Sequence, residues 1–244
     1  MFKRFILPLT FMFALLFTQH LAADQNIFIF LGAPGAGKGT ISKKLSDQLH
    51  IPHISTGDLL RIKSKEKGDL AQELNSYVTS GELVPDEVIM KILNERVQKE
   101  DCKNGFVLDG FPRTLSQAKQ LDQQFTHKDQ IVVINVLLGT NTILERLQGR
   151  RICGNCSKSY HITFNPPESK NKCDDCGQKL ISRADDTIET IQKRLEIYQA
   201  QFAPIKRFYK ESYQWIDVKN ESAEECFNNL VTKVDSINSE LLRS

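Results

Sequence analysis

Apolar positions along the chain fall into two patterns. Short, nearly unbroken apolar runs occur at Ile27–Leu31, Phe106–Asp109, Ile131–Leu138 and Tyr213–Val218. Between and after them, apolar residues recur three and four apart over Gly39–Leu49, Thr56–Lys65, Leu70–Ser80, Asp86–Glu100, Leu115–Gln124, Thr140–Gly149, Thr187–Tyr209 and Ala223–Leu242. The first pattern suits strands buried on both faces and the second suits helices with one buried stripe. Their alternation predicts an α/β fold, a doubly wound parallel sheet with helices on both faces. Asp86 and Glu87 after Pro85, and Asp185-Asp186 before Thr187, read as helix starts. No internal repeat or low-complexity linker interrupts the series.

The stretch from Arg150 to Ile181 departs from both patterns. It holds four cysteines and Pro166-Pro167 but little apolar periodicity, so it reads as a compact insertion. Cys153-x-x-Cys156 and Cys173-x-x-Cys176 stand 16 residues apart, a spacing that fits a tetrahedral four-cysteine zinc site. Four thiolates leave no open position, so such a zinc is structural, and it would stabilise a segment too small to fold on its own core. Two disulfides are the competing arrangement in an exported protein. Cys102 and Cys226 stand alone and read as packed residues, and His161 as a packing or hydrogen-bonding residue rather than a ligand.

The first apolar run ends in Gly32-Ala-Pro-Gly-Ala-Gly-Lys-Gly-Thr40, where Gly32, Gly37 and Lys38 supply the spacing of a phosphate-binding loop. Glycines let the backbone curl, and successive N–H groups then lead into a helix whose positive end faces the same point. Gly39 stands in the usual Ser/Thr position, and the hydroxyl follows as Thr40.

Two further features bear on the chemistry. Asp109 closes the second apolar run, a position suited to holding Mg²⁺ through water beside phosphates, and Asp58 could join it. Arg61, Arg113, Arg150, Arg183 and Arg194 stand at predicted element ends, and guanidinium groups grip phosphate oxygens in pairs. No general base is evident. Transfer between two phosphates needs none, because the acceptor is already an oxyanion, and catalysis reduces to alignment, neutralisation and exclusion of water.

The 244 residues are 40% hydrophobic and 25% charged, which is enough for one globular domain with a small insertion. Met1-Phe-Lys-Arg4, an apolar run from Phe5 to Phe17 and Ala22-Ala23 have the layout of a secretory signal, too short for a comfortable membrane span. Without residues 1–23 the chain carries 30 basic and 30 acidic residues, so no basic excess advertises nucleic acid or a membrane surface.

From about Asn26 onward these motifs resemble the adenylate kinase family in its long form with a zinc-bearing lid. The resemblance rests on Gly32–Thr40, Ser55–Arg61, Asp109–Arg113 with Gln117, and Arg183-Ala-Asp-Asp186 leading to Arg194. It implies reversible Mg²⁺-dependent transfer, ATP and AMP giving two ADP, by a monomer. It implies an ATP site at Gly35, Ala36, Gly37, Lys38, Gly39 and Thr40, with Arg150, Ser159 and Tyr160 from the lid and Ser222 near the base. An AMP site is implied at Thr56, Arg61, Glu82, Leu83, Val84, Gly110, Phe111, Pro112, Arg113 and Gln117, with Arg183 and Arg194 bridging the phosphates. Lys38, Arg113, Arg150, Arg183 and Arg194 are then the catalytic set. The implied parts are a core (24–54, 85–148, 187–244), an AMP-binding segment (55–84) and a lid (149–186). Thr56 and Gln117 favour AMP over other nucleoside monophosphates as acceptor; another acceptor, or GTP as donor, is the alternative within this class. A zinc-ribbon module binding nucleic acid is the alternative outside it, and the neutral body argues against that. Free nucleotides and reduced thiols favour the cytoplasm; residues 1–23 favour export.

Overall fold

The computed structural model describes residues 26–124 and 128–241; the signal-like segment 1–23 lies outside the described residues. The four apolar runs become parallel strands β1 (Asn26–Leu31), β3 (Gly105–Asp109), β4 (Ile131–Leu137) and β8 (Gln214–Lys219). A short strand, β2 (His53–Ser55), is added at one edge, giving the order β2-β3-β1-β4-β8. β2 escaped the sequence pattern because it has only three residues and takes its order from β3, where Ile54 sits opposite Leu108.

Both faces of the sheet are apolar because both are covered. Ile27, Ile29, Leu31, Leu108, Ile131 and Val133 face helices α2 (Thr56–Lys63), α3 (Asp69–Ser80), α4 (Asp86–Val97) and α5 (Leu115–Asp122), and the later part of α7 (Ile188–Ser212). Phe28, Phe30, Val107, Ile134 and Val136 face α1 (Lys38–Leu49), α6 (Thr140–Gln148) and α8 (Ala223–Leu241). β1 lies between β3 and β4, so its carboxyl end opens at the point where strand order reverses, the usual ligand crevice of such sheets.

Helix boundaries differ from the periodicity in instructive places. α4 stops at Val97, and Glu100–Cys102 form a separate 3₁₀ turn. α7 continues past Tyr209 to Ser212 despite Pro204 in its interior; Ile205 and Tyr209, both buried, hold that half against the core. The cap of α7 is Thr187, whose Oγ1 accepts from the Thr190 N–H at 3.2 Å. Asp185 and Asp186, read above as the start signal, are drawn instead into ion pairs with arginines.

The insertion forms its own antiparallel sheet of β5 (Arg150–Cys153), β6 (Ser159–His161) and β7 (Leu180–Ile181), ordered β6-β5-β7. Its buried apolar cluster is Cys153, Tyr160, Cys173 and Leu180, so two of the four members are candidate metal ligands. Hydrophobic burial alone cannot hold so small a unit.

Candidate active site

The loop after β1 curls through turns closed by Ala36 N–H to Ala33 O (3.1 Å) and Thr40 N–H to Gly37 O (3.1 Å). Gly37 caps α1 at φ 86°, a left-handed conformation that strongly favours glycine. Lys38 Nζ donates to Gly32 O (2.8 Å) and Ala33 O (2.9 Å), which keeps the ammonium across the mouth of the loop. Burial pulls Lys38 down to about 8; Asp109 opposes this, and Arg113 and Arg150 add to it. Asp109 emerges from β3 beside the start of α1. A Cβ on Gly39 would stand 3.3 Å from Asp109 Oδ2, a tight approach to the end of that carboxylate. His53 Nε2 lies 3.7 Å from the same carboxylate oxygen and 2.8 Å from Ser42 Oγ.

On the other side of β1, Ser55 and Thr114 cap α2 and α5 and thereby aim Arg61 and Gln117. Thr56, Glu82, Leu83, Val84, Phe111, Arg113 and Gln117 line one small cavity together with Leu60 and Ile89. Its volume, about 20 Å³, is far below what a nucleotide fills. Thr56 Oγ1 donates to Gly110 O at 3.1 Å, and Arg113 Nε donates to the same oxygen at 2.8 Å. Pro112, in cis linkage to Phe111, is buried in the turn between them. Gln117 is buried with both amide ends engaged: Oε1 accepts from Arg113 N–H (2.7 Å) and Nε2 donates to Asp86 Oδ1 (2.7 Å).

Between the two sides the arginines meet aspartates. Arg194 Nη2 (2.5 Å) and Arg61 Nη1 (3.4 Å) share Asp185 Oδ2, Arg150 pairs with Asp186, and Arg61 Nη2 pairs with Asp58 Oδ1 at 2.6 Å. Burial pushes the Asp185 carboxyl up, but Arg194, Arg61 and Arg183 outweigh it and hold it below the usual range. Asp58 behaves alike: burial opposes and Arg61 and Arg183 prevail. Its partner is thus Arg61, whereas Asp109 faces the loop. Burial, together with Arg150 and Arg61, pulls Arg183 down to about 10. Guanidiniums crowded this closely are a receptacle for several negative charges.

The four cysteine sulfurs lie within 4.8 Å of one another, with Cys153–Cys176 at 3.4 Å, Cys156–Cys173 at 3.5 Å and Cys156–Cys176 at 3.8 Å. Tetrahedral zinc with bonds of about 2.3 Å sets sulfurs about 3.8 Å apart, whereas a disulfide needs about 2.05 Å. The donor set fits a structural metal, and none of the six cysteines is in a disulfide. Tyr160 is buried against this cluster: its hydroxyl donates to Cys173 Sγ (3.4 Å) and accepts from Asp174 N–H (2.8 Å). The hydroxyl draws Cys173 down to about 6. The Tyr160 ring therefore serves the lid interior, and only its backbone and the exposed Ser159 are left to meet a ligand. His161 is no ligand; Nδ1 accepts from the N–H groups of Thr163 and Phe164, so the proton sits on Nε2, facing Glu145 O at 3.3 Å.

Ser222 is exposed, and its Oγ accepts from Glu225 N–H (3.5 Å) at the start of α8. Near it lie two residues the sequence did not single out. Arg146 donates to Asn220 O (3.0 Å) and Glu221 O (3.1 Å), with its guanidinium 5.8 Å above the Phe164 ring. Asn220, also unforeseen, touches the loop. Nothing local marks either residue; their partners are remote in sequence.

The comparisons with known proteins agree with this geometry. A family model described as "Adenylate kinase" matches residues 30–214. An adenylate kinase from Clostridium botulinum is 47% identical over 205 residues, 83% of this chain and 95% of that protein. One from Caldicellulosiruptor bescii is 50% identical over 184 residues (75% and 86%), and one from Clostridium perfringens 48% over 188 (76% and 87%). With a matched phosphate loop, a convergent arginine set and relatives of this similarity along most of its length, the chain belongs to the adenylate kinase family.

Proposed function

We propose that the chain moves the terminal phosphoryl group of ATP to AMP, reversibly, giving two ADP. The observation that carries this reading is the convergence of Lys38 with Arg61, Arg113, Arg150, Arg183 and Arg194 between a donor loop and a separate acceptor cavity. Backbone N–H groups of Gly35–Thr40 hold the donor phosphates, and Lys38 follows the group in transit. Arg61, Arg113, Arg183 and Arg194 hold the acceptor phosphate and the transferring group, and Arg150 approaches from the lid. Thr56, Glu82–Val84, Gly110–Arg113 and Gln117 form the AMP pocket, with Gln117 exchanging its protein partners for the adenine edge. Asp185 and Asp186 occupy the arginines in this closed arrangement and yield them to phosphates. Asp109, acting through water, would hold the magnesium that accompanies ATP, and the ion would supply neutralisation of phosphate charge.

The proposed parts are the core (24–54, 85–148, 187–244), an AMP segment (55–84) and a lid (149–186) whose closure keeps water from the donor. Cys153, Cys156, Cys173 and Cys176 hold a structural zinc that stiffens the lid. We read the protein as a monomer of the cytoplasm, where nucleotides and reduced thiols abound. No helix among the described residues is long and apolar enough to cross a membrane. Natural protein found outside the cytoplasm and beginning near Asp24 would overturn that location. Steady-state rates with AMP, CMP, UMP and GMP as acceptors, and ATP or GTP as donor, test the reaction. Fastest turnover with a pyrimidine acceptor would sink the AMP assignment.

A further inference from the structure

We propose that Asn220 is a positioning residue that sets the shape of the phosphate loop and ties it to the helix leading into the lid. Asn220 follows β8, is only 1% exposed, and its side-chain Nδ2 donates to Ala36 O at 2.7 Å. The Ala36 carbonyl and the Gly37 N–H belong to one planar trans peptide, so they point in opposite directions. Anchoring the carbonyl on Asn220 therefore fixes where the Gly37 N–H points, and that N–H is among the loop donors that a phosphate meets. A Cβ on Gly37 would collide with the Asn220 amide nitrogen, so the loop glycine and the asparagine are complementary in shape.

Asn220 is itself braced on two sides. Its N–H donates to Leu137 O (2.9 Å), and its carbonyl accepts from Arg146 Nη2 (3.0 Å) on α6. α6 ends at Gln148, immediately before the lid sheet. The chain of contacts thus runs from the loop through Asn220 and Arg146 to the point where the lid is hinged. The side-chain amide is oriented unambiguously, because Ala36 O can only accept.

This inference rests on the assignment of Gly35–Thr40 to ATP, and one of its two readouts does not need that assignment. Asn220→Leu keeps the volume and removes the donor; Asn220→Ala removes both. Loss of one buried hydrogen bond of this kind corresponds to about a tenfold effect. The expected kinetic result in both variants is a KM for ATP raised about tenfold, with the KM for AMP within twofold of the unaltered chain. The expected physical result, read by amide hydrogen exchange, is faster exchange at residues 35–40 with β1 unchanged. Unchanged loop exchange with KM for ATP within twofold overturns the proposal, and so does an equal rise in both KM values. Absence of ATP:AMP transfer in the unaltered chain would sink the ATP assignment, while loop exchange would still judge the clamp.

Discussion

The state of Lys38 makes a quantitative prediction about pH. In the free protein its ammonium is drawn to about 8 rather than its ordinary 10.5, chiefly because the loop buries it. On the proposed reading the charged form grips the donor phosphates, so donor capture is full below that value and declines as pH rises through it. With one proton involved, the protonated fraction falls from about nine-tenths at pH 7 to about one-tenth at pH 9, a loss of roughly tenfold. The measurement is kcat/KM for ATP from pH 6.5 to 10 at constant free magnesium and saturating AMP, since this ratio reports ionisations of the form that captures ATP. The same scan of kcat/KM for AMP at saturating ATP has a break displaced upward, because phosphates beside Nζ favour its charged form. Lys38→Arg, charged across the whole range, loses activity through altered reach but shows no break near 8. A flat ATP profile up to pH 10, or a break of equal position in both scans, would refute the argument.

Three further outcomes follow from the same geometry. Cys173→Ser removes a proposed zinc ligand from a lid core of four described residues, so on that reading bound zinc falls from about one per chain toward none by metal analysis, and the thermal transition drops by several degrees. Unaltered metal content would refute the four-thiolate site. Tyr160→Phe deletes the hydroxyl between Cys173 Sγ and Asp174 N–H, and zinc should pass to a chelating dye several-fold faster while the KM for ATP stays within twofold. An unchanged transfer rate refutes a role for that hydroxyl at the metal. Gly81→Ala places a Cβ at φ 77°, 2.9 Å from Thr190 Cγ2 where α3 meets α7, and should destabilise the protein by about 1–2 kcal/mol in urea unfolding. A change below about 0.5 kcal/mol would show that this joint yields.

Much of the fold was legible because its signals are short-range. β1 announces itself by five consecutive apolar residues, and the loop after it by glycines whose spacing has one mechanical use. The cysteine knuckles are local for the same reason. β2 was not legible: three residues carry no period, and their order comes from β3, some fifty residues away. The same holds for the lid strands β5, β6 and β7 and for the last turn of α7, where packing of Ile205 and Tyr209 prevails over Pro204.

The site divides along the same line. Sequence alone determined the chemical inventory: a phosphate loop, five arginines (of which Arg194 lies inside α7 rather than at an element end), a carboxylate closing β3 and four thiols. Tertiary structure decided the partnerships. It gave Asp58 to Arg61 rather than to the loop, set Asp185 and Asp186 against the arginines, and turned the Tyr160 ring toward the cysteines. It also brought Asn220 across 184 positions to the carbonyl of Ala36. A hydrogen bond or ion pair depends on the relative placement of two surfaces, and that placement is a sum over the whole core. Residues chosen for local conformation therefore leave a trace in the sequence, and residues chosen for a remote partner leave none.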